Sequence, residues 1–540
     1  MRWVNNGLIR FLVYALLGVI VGALVSLLDW ITVDVALGAV IAAPLAVQLV
    51  LPAVGMLGVS LILRYWPGAS STTSDAYVAS YHSGSGAEAK SLAPKLLAGF
   101  ATIASGGAVG MEGPAIVSGA TIGQSFGDRL PKVLGERPRL VLLVAGAAAG
   151  IAAIFKAPAT GVLFAIEVPY QRDISRHGLI PALIATATSY LTFITLRDDE
   201  PLFAFPESAV ELTDELVAAV GIGLLAGVVA RGLARGYHWA KGLQDQHRFI
   251  VRFPAGAITM AAALFIANEF VDRPVTLGSD FASEIVLDNE VELLAIIVLF
   301  VMRALATGAT LGIGGVGGVF IPLVVQGLLL GRAVELIVDA PSTGLYPVIG
   351  LAAVLGAAYR IPLAAIMFVA ETTGRAEFVI PALIATAIAQ SLMGDDTVAV
   401  GQRTERRGQL ERRLVEPCSV VMLDDLGTVS PNATLLEVID AHGDRGESFA
   451  VPVAAPQYEG LMVLHDLASA MLENGPESTV REAMRELPSV AHDAPAINAA
   501  RLMNKHDTAA IAVVDNDNRP VGVISTTSLA GLKSADIGID

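Results

Sequence analysis

Long apolar stretches separated by short polar segments are the main pattern along this chain as far as about Gly394. Two of them near the start, Phe11 to Leu28 and Val35 to Leu63, contain almost no charged residue. The first can cross a bilayer core of about 30 Å, which needs roughly 20 helical residues. The pattern therefore predicts several membrane-spanning helices, and we interpret the first as a retained helix because no cleavage pattern follows it.

Composition agrees with a membrane protein of unusual backbone. Of the 540 residues, 54% are hydrophobic and 16% are charged, whereas a soluble chain usually carries about 25% charged residues. This excludes a disordered chain, a collagen-like fibre and an ordinary soluble enzyme. The 53 glycines and 27 prolines lie largely inside the apolar segments. Irregular backbone at membrane depth is tolerated only beside protein or a water-filled cavity, so the composition favours a channel or transporter with broken helices.

An internal repeat is visible within the apolar part. The segment Gly110–Pro114 and the segment Gly318–Pro322 each precede an apolar helix and lie 208 residues apart. Two further apolar runs, each entered through a proline, end at Glu167 and Glu371, 204 residues apart. Two landmarks with nearly the same offset indicate a duplicated half. Paired glycine- and proline-interrupted segments of this kind are typical of transporter binding sites.

Charge predicts the orientation of the C-terminal tail. Basic residues flanking a span favour the cytoplasmic side, and such a cluster follows the last apolar run: Arg403, Arg406, Arg407, Arg412 and Arg413. From Leu414 onwards there are 19 acidic and 7 basic residues, a net charge of −12. The acidity argues against nucleic acid as a partner. We therefore expect a cytoplasmic, acidic module.

The tail shows two strand–helix units, over Thr434 to Leu464 and over Thr479 to Lys533. They resemble a pair of CBS domains, which are small β-α-β-β-α modules that associate in twos and often bind adenine nucleotides. In nucleotide-binding copies a hydroxyl and an acid follow the strand glycine, and here one copy keeps Asp466 and the other Ser525. Neither copy has both, so adenine nucleotide binding and a purely structural role both stay open.

The most informative chemistry is at residues 110–114 (GMEGP). Pro114 is predicted at the first position of a helix, where unpaired N–H groups and the positive end of the helix dipole bind anions. These groups belong to Gly110, Met111 and Gly113. Glu112 would occupy this site itself, or yield it to a halide when it is protonated or displaced. The alternative is that Glu112 merely caps the helix.

The repeated segment places Phe320 where the first has an acid. The N–H groups of Val319, Phe320 and Ile321 would point into the same cavity from the other half. Two helix N-termini facing one point would bind an anion without a cationic side chain, and a buried Lys or Arg would hold the anion too tightly for fast passage. Alternatively, the glycines before Val319 serve only helix packing.

These two segments and residues 150–167 (GIAAIFKAPATGVLFAIE) resemble the CLC family of chloride channels and chloride/proton antiporters, over about residues 8–403. The resemblance implies a homodimer with one anion pathway per subunit, each subunit built from two inverted halves. It places Glu112 in the position of the gating glutamate. It also implies that the backbone amides of Val319 and Phe320 hold the central anion.

The chain departs from the family pattern at the serine segment that precedes the gating glutamate. Ser71 lies 41 residues before Glu112 and Ser85 lies 27 residues before it. We prefer Ser71, with Thr72 beside it, because hydroxyls there could still donate to a halide. The alternative is that these hydroxyls cap the helix that starts before Asp75.

Two more departures bear on mechanism. Antiporters of the family usually carry an internal glutamate directly after the position of Glu167, where this chain has Val168. The family's central tyrosine aligns with Ala399. Losing that phenol would remove an anion ligand and widen the inner gate. Both changes favour a channel, although some antiporters also lack the internal glutamate.

The sequence thus predicts an all-α polytopic membrane domain of two inverted repeats with broken helices, plus a soluble α/β CBS pair. The expected boundaries are 1–403 for the membrane domain, 404–416 for a basic linker, 417–474 for the first CBS repeat and 475–540 for the second.

The expected function is a passive chloride channel of the plasma membrane, and not an enzyme. A chloride/proton antiporter is the alternative, and a CBS-regulated cation transporter is more distant, because clustered carboxylates for a hard cation are missing. Expected partners are chloride or other small anions, membrane lipid and a second copy of the chain. We expect no metal and no required cofactor.

Overall fold

The computed structural model describes residues 2–66, 70–71, 73–83, 89–130, 138–175, 178–197, 202–203, 212–271, 280–405, 413–424, 427–442 and 450–530. Its chain divides into two units, residues 1–405 and residues 406–540. The division lies inside the predicted linker. Thr72 and Ser85 lie outside the described residues.

The first unit is helical. Its helices in chain order are α1 (Arg2–Asp29), α2 (Gly38–Ile41), α3 (Leu45–Tyr65), α4 (Ser74–Ser83), α5 (Ala89–Ala104), α6 (Glu112–Arg129), α7 (Pro138–Ile154), α8 (Pro158–Glu167), α9 (Leu179–Leu196), α10 (Leu212–Gln246), α11 (Phe249–Phe270), α12 (Asp280–Leu287), α13 (Leu293–Ile313), α14 (Phe320–Ile337), α15 (Leu345–Tyr359), α16 (Pro362–Thr373) and α17 (Val379–Leu392). A π-helical segment, Trp30–Leu37, continues α1, and a 3₁₀ turn, Ala376–Phe378, precedes α17.

Seven helical stretches in the described part of the chain are long and apolar enough to cross a membrane. They are Gly7–Ile41, Leu45–Tyr65, Leu179–Leu196, Leu216–Gln246, Phe249–Phe270, Leu293–Ile313 and Phe320–Ile337. Shorter apolar helices lie between these stretches, such as α7 and α8, or follow the last of them, such as α15 and α16. Seven such stretches make this a multi-pass membrane protein, and the short helices between and after them make it one with broken helices. The backbone polar groups of short helices inside a bilayer must be satisfied by neighbouring protein or by a water-filled cavity.

The repeated landmarks fall at corresponding helices. Helices α6 and α14 both have 18 residues and begin at Glu112 and Phe320. Each begins two residues before its proline, so Pro114 and Pro322 are the third residues of their helices. The first position, which was predicted for Pro114, is therefore wrong by two residues. Proline fits at the third because the N–H groups of a first turn have no partner within the helix.

The second unit is a small α/β structure. Its elements are α18 (Cys418–Val421), α19 (Leu435–His442), β1 (Ala450–Ala454), β2 (Tyr458–Val463), α20 (Leu464–Asn474), α21 (Val480–Ala483), β3 (Val490–Ala491), α22 (Ala496–Lys505), β4 (Ala510–Val514), β5 (Pro520–Ser525) and α23 (Thr526–Ala530). Strands β1 and β2 pair antiparallel, β4 and β5 pair antiparallel, and β3 joins β4 in parallel. The two repeats predicted from sequence therefore share a strand–turn–strand core.

The two repeats exchange their leading segments. Leu423, which precedes the first repeat's helix, forms a two-way backbone bridge with Val523 of β5. Arg485 precedes the second repeat's helix and forms the same bridge with Leu461 of β2. The strands of each repeat are therefore extended by a segment from the other predicted range, 417–474 or 475–540. We infer that neither repeat folds as well without the other.

Cys418, the single cysteine of the chain, lies in the packed interior between the two repeats, so its reactivity measures whether they are packed together. It is fully buried against residues of the second repeat such as Ile511 and Ile524. Burial raises the pKa of its thiol from 9.0 to about 11. At pH 8 the reactive thiolate is therefore about 100-fold rarer than in an unfolded chain.

We expect a thiol reagent such as dithionitrobenzoate to label the native protein at pH 8 at least about 100-fold more slowly than the denaturant-unfolded protein. The same shift favours the unfolded state in alkali, because the unfolded thiol ionises first. The contribution of this thiol to the free energy of unfolding of the tail is therefore complete below pH 9 and is lost as the pH rises through about 9 to 11. Equal labelling rates in the native and unfolded protein would contradict the buried position.

Candidate functional site

The two repeated segments meet at a short backbone bridge. Gly110 donates its N–H to the carbonyl of Gly318 at 2.9 Å, and Gly318 donates back to Gly110 at 2.9 Å. Thr73 adds a hydrogen bond from Oγ1 to the carbonyl of Gly317 at 3.0 Å. The bridge holds the N-termini of α6 and α14 side by side. The positive ends of two helix dipoles therefore lie at one place inside the membrane domain.

Glu112 occupies this place. Its side chain is fully buried, and Oε1 accepts hydrogen bonds from the backbone N–H of Phe320 at 2.6 Å and of Ile321 at 3.4 Å. The other carboxylate oxygen, Oε2, is buried and has no hydrogen-bond partner among the described groups. The carboxylate of one half thus binds the helix N-terminus of the other half, as an anion would.

The backbone around the carboxylate leaves room for nothing larger than glycine. A Cβ on Gly110 would overlap Oε2 of Glu112, and a Cβ on Gly318 would overlap its Oε1 and Cδ. A Cβ on Gly113 would lie only 2.7 Å from the Gly318 nitrogen and 2.7 Å from Oγ1 of Thr73. These glycines therefore allow the close approach of a carboxylate, or of a small anion in its place.

A second group of hydrogen-bond donors lies beside the same amides. Tyr359, the last residue of α15, is buried, and its phenol lies next to the hydroxyl of Ser74 and the amide of Val319. The Ser74 hydroxyl is buried without a partner at hydrogen-bond distance in the described part of the chain. Two O–H groups and an N–H thus converge. Such a group of donors suits an anion better than a cation.

Aromatic rings form the wall of this group. The Tyr359 ring lies 5.7 Å from that of Phe164 and 6.2 Å from that of Phe320, measured between centroids. The Phe320 ring stacks on Phe155 at 4.4 Å and meets Phe368 edge-on at 5.0 Å. Packed rings of this kind exclude water, so charge interactions near Glu112 are stronger than in a solvated site.

A cationic side chain also faces the site, contrary to the expectation from sequence. Arg303 of α13 is 1% exposed and acts electrostatically on Glu112. Both line a cavity of about 370 Å³, together with Lys156. Arg303 could not be picked out from the sequence because one charge inside a long apolar run is still typical of an ordinary span. Only the fold shows that Arg303 is buried near the Glu112 carboxylate, and this placement indicates that it acts on the charge at the site.

The wall of this cavity also contains an ion cluster. Arg197 forms ion pairs with Asp34, in the π-helical segment, and with Asp29 at 3.6 Å. Acidic and basic side chains therefore balance around the cavity. An entering anion would meet a neutral lining rather than a strongly positive one.

The two other repeated glutamates cap each other's helices. Glu167, at the end of α8, accepts from the N–H groups of Leu363 and Ala364 at 3.1 and 2.8 Å. Glu371 of α16 accepts from the N–H groups of Ala159 and Thr160, both at 2.8 Å. This exchange ties the two halves together a second time. It gives both acids a structural use at helix N-termini.

The structure brings two hydroxyls of the predicted segment to the site. Ser71 donates from Oγ to Oε1 of Gln244 at 3.1 Å, so its hydroxyl is engaged by a side chain of α10. The two hydroxyls at the site are those of Thr73, which bonds to the bridge, and Ser74, which lies next to the Tyr359 phenol. They follow Ser71 by two and three residues, so the segment lies at the site, and an anion-binding role of Ser71 itself stays a prediction. Spacing along the chain does not distinguish between hydroxyls this close together.

Val168 and Ala399 are both buried in the membrane domain. The Val168 carbonyl accepts from Nε2 of Gln402 at 2.9 Å, and the Ala399 N–H donates to Oγ1 of Thr397 at 3.2 Å. Met111 is the N-cap of α6. The expected loss of a phenol at position 399 does not leave the site without one, because Tyr359 brings a phenol from another helix.

In the tail, both candidate nucleotide ligands already have protein partners. Asp466 forms an ion pair with Arg485 at 2.7 Å. The Ser525 hydroxyl lies 2.7 Å from Oγ1 of Thr527 and accepts from the Ser528 N–H at 3.1 Å. A nucleotide would have to displace these contacts.

Known sequence families match both parts of the chain. A family model described as voltage gated chloride channel matches residues 53–394, and a CBS domain model matches residues 480–533. An uncharacterized protein of Methanocaldococcus jannaschii is 27% identical over 307 residues, which is 56% of this chain and 75% of that protein.

Three solved structures share the fold. A slow cyanobacterial Cl⁻/H⁺ antiporter aligns with a TM-score of 0.62 and 23% identity, covering 72% of this chain and 96% of its own. A CLC-type fluoride/proton antiporter aligns at 0.63 and 22%, covering 73% and 98%. A eukaryotic CLC transporter aligns at 0.61 and 16%, covering 96% and 98%. Together with the helical membrane part and the small sheets of the tail, they confirm the predicted fold class.

Proposed function

This chain belongs to the voltage gated chloride channel family, and on that basis we propose that it is a passive chloride channel gated by Glu112. Members of this family carry chloride or other anions across membranes, and they are not enzymes. The observation that carries the proposal is the contact of the Glu112 carboxylate with the Phe320 and Ile321 amides. A carboxylate held there blocks an anion site, and its departure frees the site.

Opening follows from competition for these amides. A protonated Glu112 is a poor acceptor, and a chloride ion at the Val319 and Phe320 amides replaces the carboxylate's charge. Met111, Gly113 and Ile321 belong to the same two helix starts. Arg303 attracts either anion to the site from the cavity side, while the Ser74 and Tyr359 hydroxyls donate to an anion next to Val319.

Passive transport is proposed because of Val168. This side chain is apolar and fully buried, so it holds no proton at the position where antiporters of the family usually carry an acid. A channel needs only a path for the anion, whereas an antiporter needs a second path for protons.

The rival function is a chloride/proton antiporter that moves protons along water instead of through position 168. It is favoured by the fold neighbours, two of which are described as proton-coupled antiporters. The two functions differ in whether chloride movement is tied to proton movement.

Chloride efflux from proteoliposomes, with the external pH recorded alongside, separates them. We expect chloride efflux without proton uptake. Protons driven uphill by a chloride gradient would establish the antiporter. The electrical current through the protein should disappear when gluconate replaces chloride, and a current that stays unchanged in gluconate would refute chloride transport.

The proposal extends to assembly and location. We propose a homodimer in the plasma membrane, with the acidic tail, which follows the basic residues from Arg403 onwards in the chain, in the cytoplasm. The CBS pair then acts as a dimerising or regulatory module. The partners of Asp466 and Ser525 support a structural role over adenine nucleotide binding there.

A further inference from the structure

A long apolar cavity, separate from the one that Glu112 lines, lies between α10, α11 and α13. It has a volume of about 610 Å³ and is lined mainly by apolar side chains and glycines. Along α10 it extends from Gly232 to Leu243, about 17 Å at 1.5 Å per residue. Its volume lies within the range of ligand pockets, which is about 300–1,000 Å³. The cavity is thus the size and shape of a site for an elongated apolar group.

The glycines of α10 do not all serve the same purpose. Gly223 and Gly227 lie against α17, where a Cβ would come within 2.8 Å of the Ala385 carbonyl or the Leu392 side chain. At Gly232 and Gly236 a Cβ would meet no protein atom within 4 Å. Close contact with other protein atoms therefore accounts for glycine at positions 223 and 227, but not at positions 232 and 236. The second pair widens the cavity instead.

One end of the cavity is basic. Arg252 lines it, and its Nη1 donates to the carbonyls of Gly312 and Ile313 at 3.0 and 2.7 Å. Exposed Arg248 and His247 are its chain neighbours at the turn between α10 and α11. Asp245 is the acid that acts on Arg252 electrostatically, but among the described residues no carboxylate forms an ion pair with Arg252 or Arg248.

The surroundings determine which occupant fits. The helices that form the cavity are long enough to cross the membrane, and large apolar side chains at its rim face outward, among them Trp239, Val251 and Leu305. Basic pockets between membrane helices are suited to anionic lipid headgroups. We propose that this cavity binds one anionic phospholipid of the bilayer, with an acyl chain along Gly232 and Gly236 and the phosphate near Arg252.

Trp239 provides a direct probe, because it lies at the cavity. In a variant that keeps Trp239 and carries Trp3→Phe, Trp30→Phe and Trp66→Phe, fluorescence quenching by brominated phosphatidylglycerol is compared with quenching by brominated phosphatidylcholine in mixed liposomes. We expect a preference of about fivefold for the anionic lipid, the effect of one basic side chain near a membrane surface. Arg252→Gln should reduce this preference to near one.

Gly236→Leu fills the cavity and should lower the quenching by phosphatidylglycerol to the level of phosphatidylcholine. Gly221→Leu is the matched control, since Gly221 is an exposed glycine of the same helix, meets no protein atom within 4 Å and lies outside the cavity lining. Equal quenching by both lipids in the parent protein, or equal effects of Gly236→Leu and Gly221→Leu, would overturn the proposal.

A second measurement needs no tryptophan substitution. Native mass spectrometry of the full chain should show one phosphatidylglycerol retained per chain in the parent and in Gly221→Leu, and none in Gly236→Leu. Retention that is the same in all three proteins would also overturn the proposal. Neither measurement depends on chloride transport, so a failure of the proposed channel function would leave it unaffected.

Discussion

Replacing Glu112 by alanine is expected to raise chloride efflux about 10- to 100-fold at neutral pH and to remove its response to external acid. The carboxylate now holds the Phe320 and Ile321 amides against the permeating anion. Hydrogen bonds to a charged group contribute about 1.5–3 kcal/mol, which corresponds to about a 10- to 100-fold change in how often the site is free. Efflux from proteoliposomes at several external pH values measures both effects.

Loss of one negative charge elsewhere in the membrane domain is the control. Glu269→Ala removes an exposed acid near the end of α11, and we expect it to leave both the efflux rate and its pH response unchanged. If Glu112→Ala and Glu269→Ala behave alike, Glu112 is not the gate. An efflux that falls in Glu112→Ala while the protein remains folded would show that the carboxylate is part of the path rather than an obstacle in it.

Features of this molecule that are local in the chain could be predicted from sequence. Membrane-spanning helices follow from the length of apolar runs, and the two helix starts follow from glycine and proline at residues 110–114 and 318–322. The spacing of 208 residues predicts that these starts are equivalent. The structure adds that they touch, through the bridge between Gly110 and Gly318.

The rest of the site depends on which distant helix ends meet. Tyr359 ends one apolar helix and Arg303 lies within another, and neither position carries a local pattern that separates it from ordinary helix residues. Ser74 is the first residue of α4, where a hydroxyl is equally typical of a helix cap. Alignment to a family position draws attention to Ala399 and cannot point to Tyr359, whose phenol lies next to the Val319 amide.

The reciprocal capping by Glu167 and Glu371 was also beyond sequence reasoning. In the chain each acid is simply the end of an apolar run, and they are 204 residues apart. Only the packing of α8 against α16 brings each carboxylate to the other helix's N–H groups. An acid at membrane depth is therefore a functional candidate by default, but its partners decide between transport and structure. Glu112 differs from these two in having a carboxylate oxygen without a partner among the described groups.

Tyr359→Phe is expected to weaken chloride binding about tenfold. The substitution keeps the ring, and with it the contacts to Phe164 and Phe320, so the fold should be preserved. It removes one of the hydroxyl donors beside Val319, and a hydrogen bond to a charged group contributes at least about 1.5 kcal/mol. Isothermal titration of the purified protein with chloride measures the change directly.

The matched control for this change is Tyr346→Phe, which removes a phenol 13 residues earlier on the same helix, about 20 Å away along the axis. We expect its chloride affinity to equal that of the parent. Restoring a phenol at the family position, in the double variant with Tyr359→Phe and Ala399→Tyr, tests whether the two positions are equivalent. Recovery of affinity would show that they serve one anion site, whereas unchanged affinity in Tyr359→Phe alone would show that its hydroxyl does not contact the anion.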